Sequence, residues 1–127
     1  MTTWTSSELD RVGAADELEI ASLRQDGTLR KSRTIWVVRV GSDLYVRSVN
    51  GRGSGWFHGI LTCYSGRIQA GGIDKDVTFE EVHEPVVQDQ ISAVYRKKYS
   101  HYPKQYVDAC VTPQAMAATI KLIPRDV

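Results

Sequence analysis

Thr34-Ile-Trp-Val-Val-Arg-Val-Gly-Ser-Asp-Leu-Tyr-Val-Arg-Ser-Val49 is the segment that most restricts what this chain can become. Alternating β-branched and aromatic residues on either side of Gly41-Ser42 predict two antiparallel strands joined by a two-residue loop. Cross-strand partners then share a face. One face carries Ile35, Val37, Arg39, Leu44, Val46 and Ser48, and the other Trp36, Val38, Tyr45, Arg47 and Val49. Both are largely apolar, unlike a strand pair with one wet side. One face is expected in the sheet core; the other needs a helix, a ligand or a second subunit. That need is the physical case for a homodimer.

The remaining segments supply the partners of this hairpin. Thr5 and Glu8 form the Ser/Thr-x-x-Glu capping box of a first helix, with Trp4 and Leu9 at the staple positions and Gly13 at its end. Residues 17–24 predict a strand, Gln25-Asp-Gly27 a turn, and residues 66–73 and 75–82 a second strand pair. Residues 55–64 predict about one helical turn leading into a strand. Helical spacing follows from Val86 to His101, Thr112-Pro113 starts a brief helix, and residues 118–124 alternate as a closing strand. The sum is a mainly β domain with flanking helices, a small antiparallel barrel over residues 1–127. A chain of 127 residues holds one core of ordinary size.

Charge is distributed unevenly. Residues 1–23 total −4, residues 24–52 total +5, and residues 53–127 balance at eight against eight, for +1 overall. The basic stretch contains Arg24, Arg30, Lys31, Arg33, Arg39, Arg47 and Arg52 against Asp26 and Asp43. A localised patch of this kind suits a small phosphate-bearing ligand; a general nucleic-acid binder would be more basic throughout, with a pI above about 9. The helical Tyr95, Tyr99, Tyr102 and Tyr106 series beside Arg96, Lys97 and Lys98 reads as packing with a solvated basic side, so nucleic acid is not the expected partner. No run approaches the ~18 apolar residues of a membrane span. Cys63 and Cys110 form no Cys-x-x-Cys pair, and His58, His83 and His101 lack metal-ligand spacing, so no metal is expected. Free thiols and an N-terminus without signal-peptide blocks point to a cytoplasmic protein.

The basic patch adjoins Asn50-Gly-Arg-Gly-Ser-Gly-Trp56, whose bare amides can form an anion nest. Arg47 sits beside Trp36 and Tyr45, an arrangement that suits anion capture or stacking on a planar ring. The same charges also suit solvated strand edges that deter edge pairing.

The run Thr28-Leu-Arg-Lys-Ser-Arg-Thr-Ile-Trp-Val-Val-Arg-Val-Gly-Ser-Asp-Leu-Tyr-Val-Arg-Ser-Val-Asn-Gly51, followed by Trp56-Phe57, resembles the deazaflavin-dependent nitroreductase branch of the flavin-binding, pyridoxamine-phosphate-oxidase-like split barrels. Over its whole length the chain is similar to a domain-of-unknown-function family assigned to that superfamily. The resemblance implies a six-stranded split barrel, usually dimeric, with FMN or a deazaflavin in the groove between subunits. Lys31 and Ser32 match the phosphate-contacting Lys-Ser, Ser48 and Gly51 match a second segment, and Trp56 matches the aromatic at a helix start. Leu29 and Arg33 replace the glycines flanking Arg30-Lys31-Ser32, and His58-Gly59 replaces an Asn-Leu pair. On this reading Lys31, Ser32, Arg47 and Arg52 hold the phosphate, and Trp36, Tyr45 and Trp56 border the ring. An oxidoreductase would need no side-chain catalyst, since the cofactor carries the hydride chemistry. The alternative is a split-barrel binding module that has lost the cofactor.

Overall fold

In this computed structural model, which describes residues 3–125, helix α1 (Ser6–Ala14) starts on the expected capping box. Thr5 Oγ1 accepts from the Glu8 amide at 3.1 Å and Glu8 Oε1 accepts from the Thr5 amide at 2.9 Å. Leu9 and Val12 turn inward, and the Trp4 indole donates to the Leu122 carbonyl at 2.9 Å. The helix is thereby fixed to the last strand of the chain.

Seven strands follow: β1 (Leu18–Ser22), β2 (Arg33–Ile35), β3 (Val38–Val40), β4 (Asp43–Arg47), β5 (Ser65–Ala70), β6 (Ile73–Glu81) and β7 (Thr119–Pro124). They form one sheet in the order β2-β1-β5-β6-β7-β4-β3, antiparallel throughout. The two edge strands, β2 and β3, are separated by only Trp36 and Val37 in the chain. A flat sheet of seven strands cannot bring its edges that close, so this one curls into a half-barrel.

The count corrects the six strands expected. The first strand of the 34–49 hairpin is divided at Trp36–Val37 and serves opposite ends of the sheet. The Val37 backbone, freed from strand pairing, is satisfied by side chains. Its amide donates to the Tyr99 hydroxyl at 3.1 Å, and its carbonyl accepts from Lys98 Nζ at 2.6 Å and from Tyr99 at 3.0 Å. Such replacement partners are what buried backbone requires. The Gly41-Ser42 loop is as expected, with Val40 opposite Asp43 and Val38 opposite Tyr45. Gly41 has φ +61°, which favours glycine there.

Helix α2 (Gly55–Cys63) is longer than the single turn expected and stops where Tyr64 enters the left-handed region at φ 53°. Helices α3 (Pro85–Lys98), α4 (Lys104–Ala109) and α5 (Pro113–Met116) complete the chain, α5 starting on the expected Thr112-Pro113 pair. Val37, Leu44 and Val46 join Ile20, Phe57, Ile60, Ile68 and Ile120 in the main core inside the curl. Val38 and Tyr45 lie on the other face of the hairpin, packed with Ile91, Tyr95 and Tyr99 of the α3 region and with Val107 and Cys110. The two-faced hairpin is therefore covered by helices of its own chain, and the homodimer inferred from that face loses this support.

Candidate functional site

Arg47, expected to grip phosphate, is 3% exposed at the end of β4. Nε donates to Thr119 Oγ1, one terminal nitrogen to Ser92 Oγ and the Cys110 carbonyl, and the other to Gln88 Oε1 and the Gln88 carbonyl, all within 2.6–3.1 Å. Those five donors exhaust the guanidinium. Every acceptor is neutral, so burial pulls its proton affinity below the usual arginine value. Arg47 ties β4 and β7 to α3 and the end of α4, and it has no donor left for a ligand.

Arg52 lines neither of the two pockets beside Trp56 and is tethered elsewhere through one terminal nitrogen. It reaches Glu81 at 2.6 Å and the Ala117 carbonyl at 3.1 Å, and its hydrogen bond holds the Glu81 carboxyl below its ordinary value. Tyr45 is buried against α3, with its hydroxyl's pKa raised by burial. Ser32 turns outward, with its hydroxyl on Glu19 at 3.3 Å. These four corrections share a cause: sequence proximity to a glycine loop does not say which way a side chain leaves the sheet.

Lys31 and Trp56 stay together. With Arg24, Arg30, Arg33, Ser22, Ile20, Gly55 and Ile60 they line a pocket of about 260 Å³ between the β1–β2 connection and the start of α2. That connection is a short excursion: Leu23 pairs with Leu29, Gly27 turns at φ +89°, and the Arg30 amide returns to the Ser22 carbonyl at 2.9 Å. It carries four cations to one mouth, and no carboxylate lines the pocket. Among the described residues Arg30, Lys31 and Arg33 have no side-chain hydrogen-bond or ion-pair partner, while Arg24 is held by Thr28 Oγ1 and the Leu29 carbonyl.

The floor shows why glycine stands at Gly59. A Cβ there would lie 2.5 Å from Ser22 Oγ and 2.9 Å from Arg30 Cδ. Arg30 can cross beneath α2 only over a bare backbone, and its Nε is buried without any acceptor. An orphaned buried N–H of this kind is costly and calls for a partner.

The α2 N-terminus adds backbone donors. The Ser48 hydroxyl donates to the Gly51 carbonyl at 2.8 Å, which leaves it to accept from Ser54 Oγ at 2.8 Å. The Ser54 hydroxyl is thus turned away from the helix it precedes, and it caps nothing. The amides of Gly55, Trp56 and Phe57 find no protein acceptor among the described residues, and no acid occupies the first turn. Free amides at the positive end of a nine-residue helix suit an anion. Ser48 and Gly51 therefore shape the site from behind. Gly51 holds the tight turn at φ +75°, where a Cβ would strike Gln114.

A second cleft, of about 300 Å³, lies on the other side of Trp56. Ile35, Trp36, Val49, Trp56, Tyr95 and Tyr106 give it mostly apolar walls. Trp36 is held flat by stacking on Tyr99, with ring centroids 3.9 Å apart. Arg47 and Ser48 also border this cleft, the guanidinium with its donors already spent on protein acceptors. Burial raises the Cys110 thiol to about 11 and moves the Tyr95 phenol upward, so neither ionises near neutral pH. No group of three or more His, Cys, Asp and Glu residues forms a metal cluster among the described residues. No local signal marks out Arg30 and Arg33 beforehand, because Ser54 reads in the sequence as an ordinary N-cap and only the fold turns its hydroxyl onto Ser48.

The fold is shared with solved split barrels. A putative pyridoxamine 5'-phosphate oxidase from Listeria innocua superposes with TM-score 0.63 at 10% identity, covering 93% of this chain and 90% of that one. An F420 reductase gives 0.55 at 15% identity, covering 98% and 96%. An FAD-binding protein from Mesorhizobium loti gives 0.53 at 15% identity, covering 96% and 89%. At such identities the likeness is one of fold. No curated protein matches the chain in sequence. Residues 8–122 match the family described as an uncharacterized protein conserved in bacteria, DUF2255, and the chain belongs to it.

Proposed function

We propose that this protein binds a flavin-class cofactor, FMN or a deazaflavin, and works as a cytoplasmic oxidoreductase through it. The observation that carries this reading is the pair of adjoining pockets divided by Trp56, one basic and free of acids, the other apolar and aromatic. A phosphate-bearing planar ring has those two ends. Arg30 Nε, Ser22, Lys31 and the α2 amides would receive the phosphate, and Trp36 and Trp56 would flank the ring. The orphaned Arg30 N–H and the Cβ-free path at Gly59 fit an anion there. The solved relatives named for F420 and FAD share the fold that presents these pockets.

When bound, the cofactor supplies hydride transfer. The residues of the chain bind, orient and exclude water. None in the apolar cleft offers a proton near neutral pH, since the Cys110 thiol stays protonated up to about 11. The cleft mouth also exposes Tyr106 at 55% and Val49 at 44%, and we assign its closure to a second copy of the chain. A binding module without redox chemistry is the second reading, favoured by the commitment of Arg47 to protein acceptors.

Absorbance titration with FMN, and separately with a deazaflavin, tests the proposal. Binding of either is expected, weakened by about tenfold or more in Arg30→Gln, which removes the buried unpartnered donor. A folded protein that binds neither ring would sink it.

A further inference from the structure

We infer that the basic pocket takes a diphosphate in preference to a single phosphate. This rests on the reading of that pocket as the anionic end of a flavin-class ligand, and it narrows that class to a ring carried on a diphosphate, ahead of FMN with its single phosphoryl group.

The donors fall into two sets by depth. The inner set is Arg30 Nε, which is buried and unpartnered, the Ser22 hydroxyl on a residue 5% exposed, and the α2 amides at Gly55 and Trp56. The outer set is Arg24, Lys31 and Arg33, all exposed at the mouth. One phosphoryl group on the floor satisfies the inner set and brings at most two negative charges. It leaves Lys31 and Arg33 at the rim without a partner, whereas Arg24 has Asp26, Thr28 and the Leu29 carbonyl beside it, and unpaired like charges on one rim cost free energy. A second, linked phosphoryl group at the rim would give Lys31 and Arg33, which line the same pocket, the partner they lack.

Volume agrees with charge. The basic pocket measures about 260 Å³ against about 300 Å³ for the aromatic cleft. Its anionic end therefore has nearly as much room as its ring end, far more than one phosphoryl group fills. Neither Lys31 nor Arg33 is held by the protein, so both can close on a ligand at the rim.

Competition calorimetry with inorganic pyrophosphate and inorganic phosphate, at low ionic strength, tests this directly. Pyrophosphate is expected to bind about tenfold or more tightly than phosphate, as charge-assisted contacts to an extra group allow. The double variant Lys31→Gln/Arg33→Gln should remove that preference while retaining most phosphate binding. Arg30→Gln should weaken both anions alike, because it belongs to the floor. All three side chains lie at the pocket and outside the core, so circular dichroism is expected to stay native. Equal affinity of the two anions in the unaltered protein would overturn the inference while leaving FMN or deazaflavin binding intact. Failure of both anions together with both rings would overturn the cofactor reading as well.

Discussion

Arg47 shows how one residue can satisfy a sequence pattern for a ligand contact and still belong to the core. Its place beside aromatic residues on a strand face is as the alternation implies, but the face is roofed by α3. All five donors then meet Thr119, Ser92, Cys110 and Gln88 at 2.6–3.1 Å. Removing the guanidinium leaves those acceptors buried and unpaired, while its methylene stem can be replaced. Arg47→Met is therefore expected to cost about 3 kcal/mol of stability, the range for breaking a buried polar network. Phosphate affinity of the remaining folded protein should change by less than about twofold, because the basic pocket lies across Trp56. Denaturant unfolding and phosphate calorimetry on the same sample would check both halves. Unchanged stability with phosphate binding lost would restore Arg47 to the ligand.

At the scale of the element, α2 is a helix whose start has been left open. Its preceding serine donates to Ser48 and does not accept from the first turn, so the amides of Gly55 and Trp56 stay free at the basic pocket. Ser54→Asp should reverse that choice. An N-cap carboxylate accepts from the first-turn amides and complements the helix dipole, worth about 1 kcal/mol. The variant is thus expected to melt higher and to bind phosphate weakly, since its own charge now occupies the amides. A variant that melts higher and binds as before would show that the helix amides take no part. The elements themselves were largely legible in the chain: the Thr5–Glu8 box, the Gly41-Ser42 loop and the Thr112-Pro113 start all carry local chemistry that determines local geometry. Legibility ends where partners come from afar. Nothing near Arg24 or Arg30 announces that the β1–β2 excursion lies over Gly55 and Gly59, a meeting produced by sheet order. Arg47 and Arg52 were misplaced for the same reason, their acceptors lying at least 29 residues away in sequence.

The whole molecule is closed at one seam, and the seam explains both the seventh strand and a pH dependence. Where the chain passes from β2 to β3, Val37 leaves the ladder and the sheet's ends are joined by side chains of α3. Tyr99 accepts from the Val37 amide and donates toward the carbonyls of Val37 and Asp16, and Lys98 Nζ donates to the carbonyls of Ala15 and Val37. No six-strand expectation could contain this, because alternation continues unbroken through Trp36-Val37-Val38 and only the curl requires the break. Burial disfavours the charged form of Lys98 and lowers its pKa from 10.5 to about 8, against the opposing pull of Asp16. Between those values the unfolded chain binds the proton more tightly than the folded one, so folding releases it. The Lys98 contribution to stability must then rise with pH from about 8 to 10.5. Cys110 works the other way: its thiol is raised from 9.0 to about 11, and stability is lost as pH climbs through that interval. Comparing the protein with Lys98→Met cancels the thiol and the tyrosines common to both. Urea midpoints measured across this range should show the difference in stability, unaltered protein minus variant, growing as pH increases. A difference that stays flat or shrinks would mean that Lys98 reaches solvent and that Tyr99 alone holds the seam.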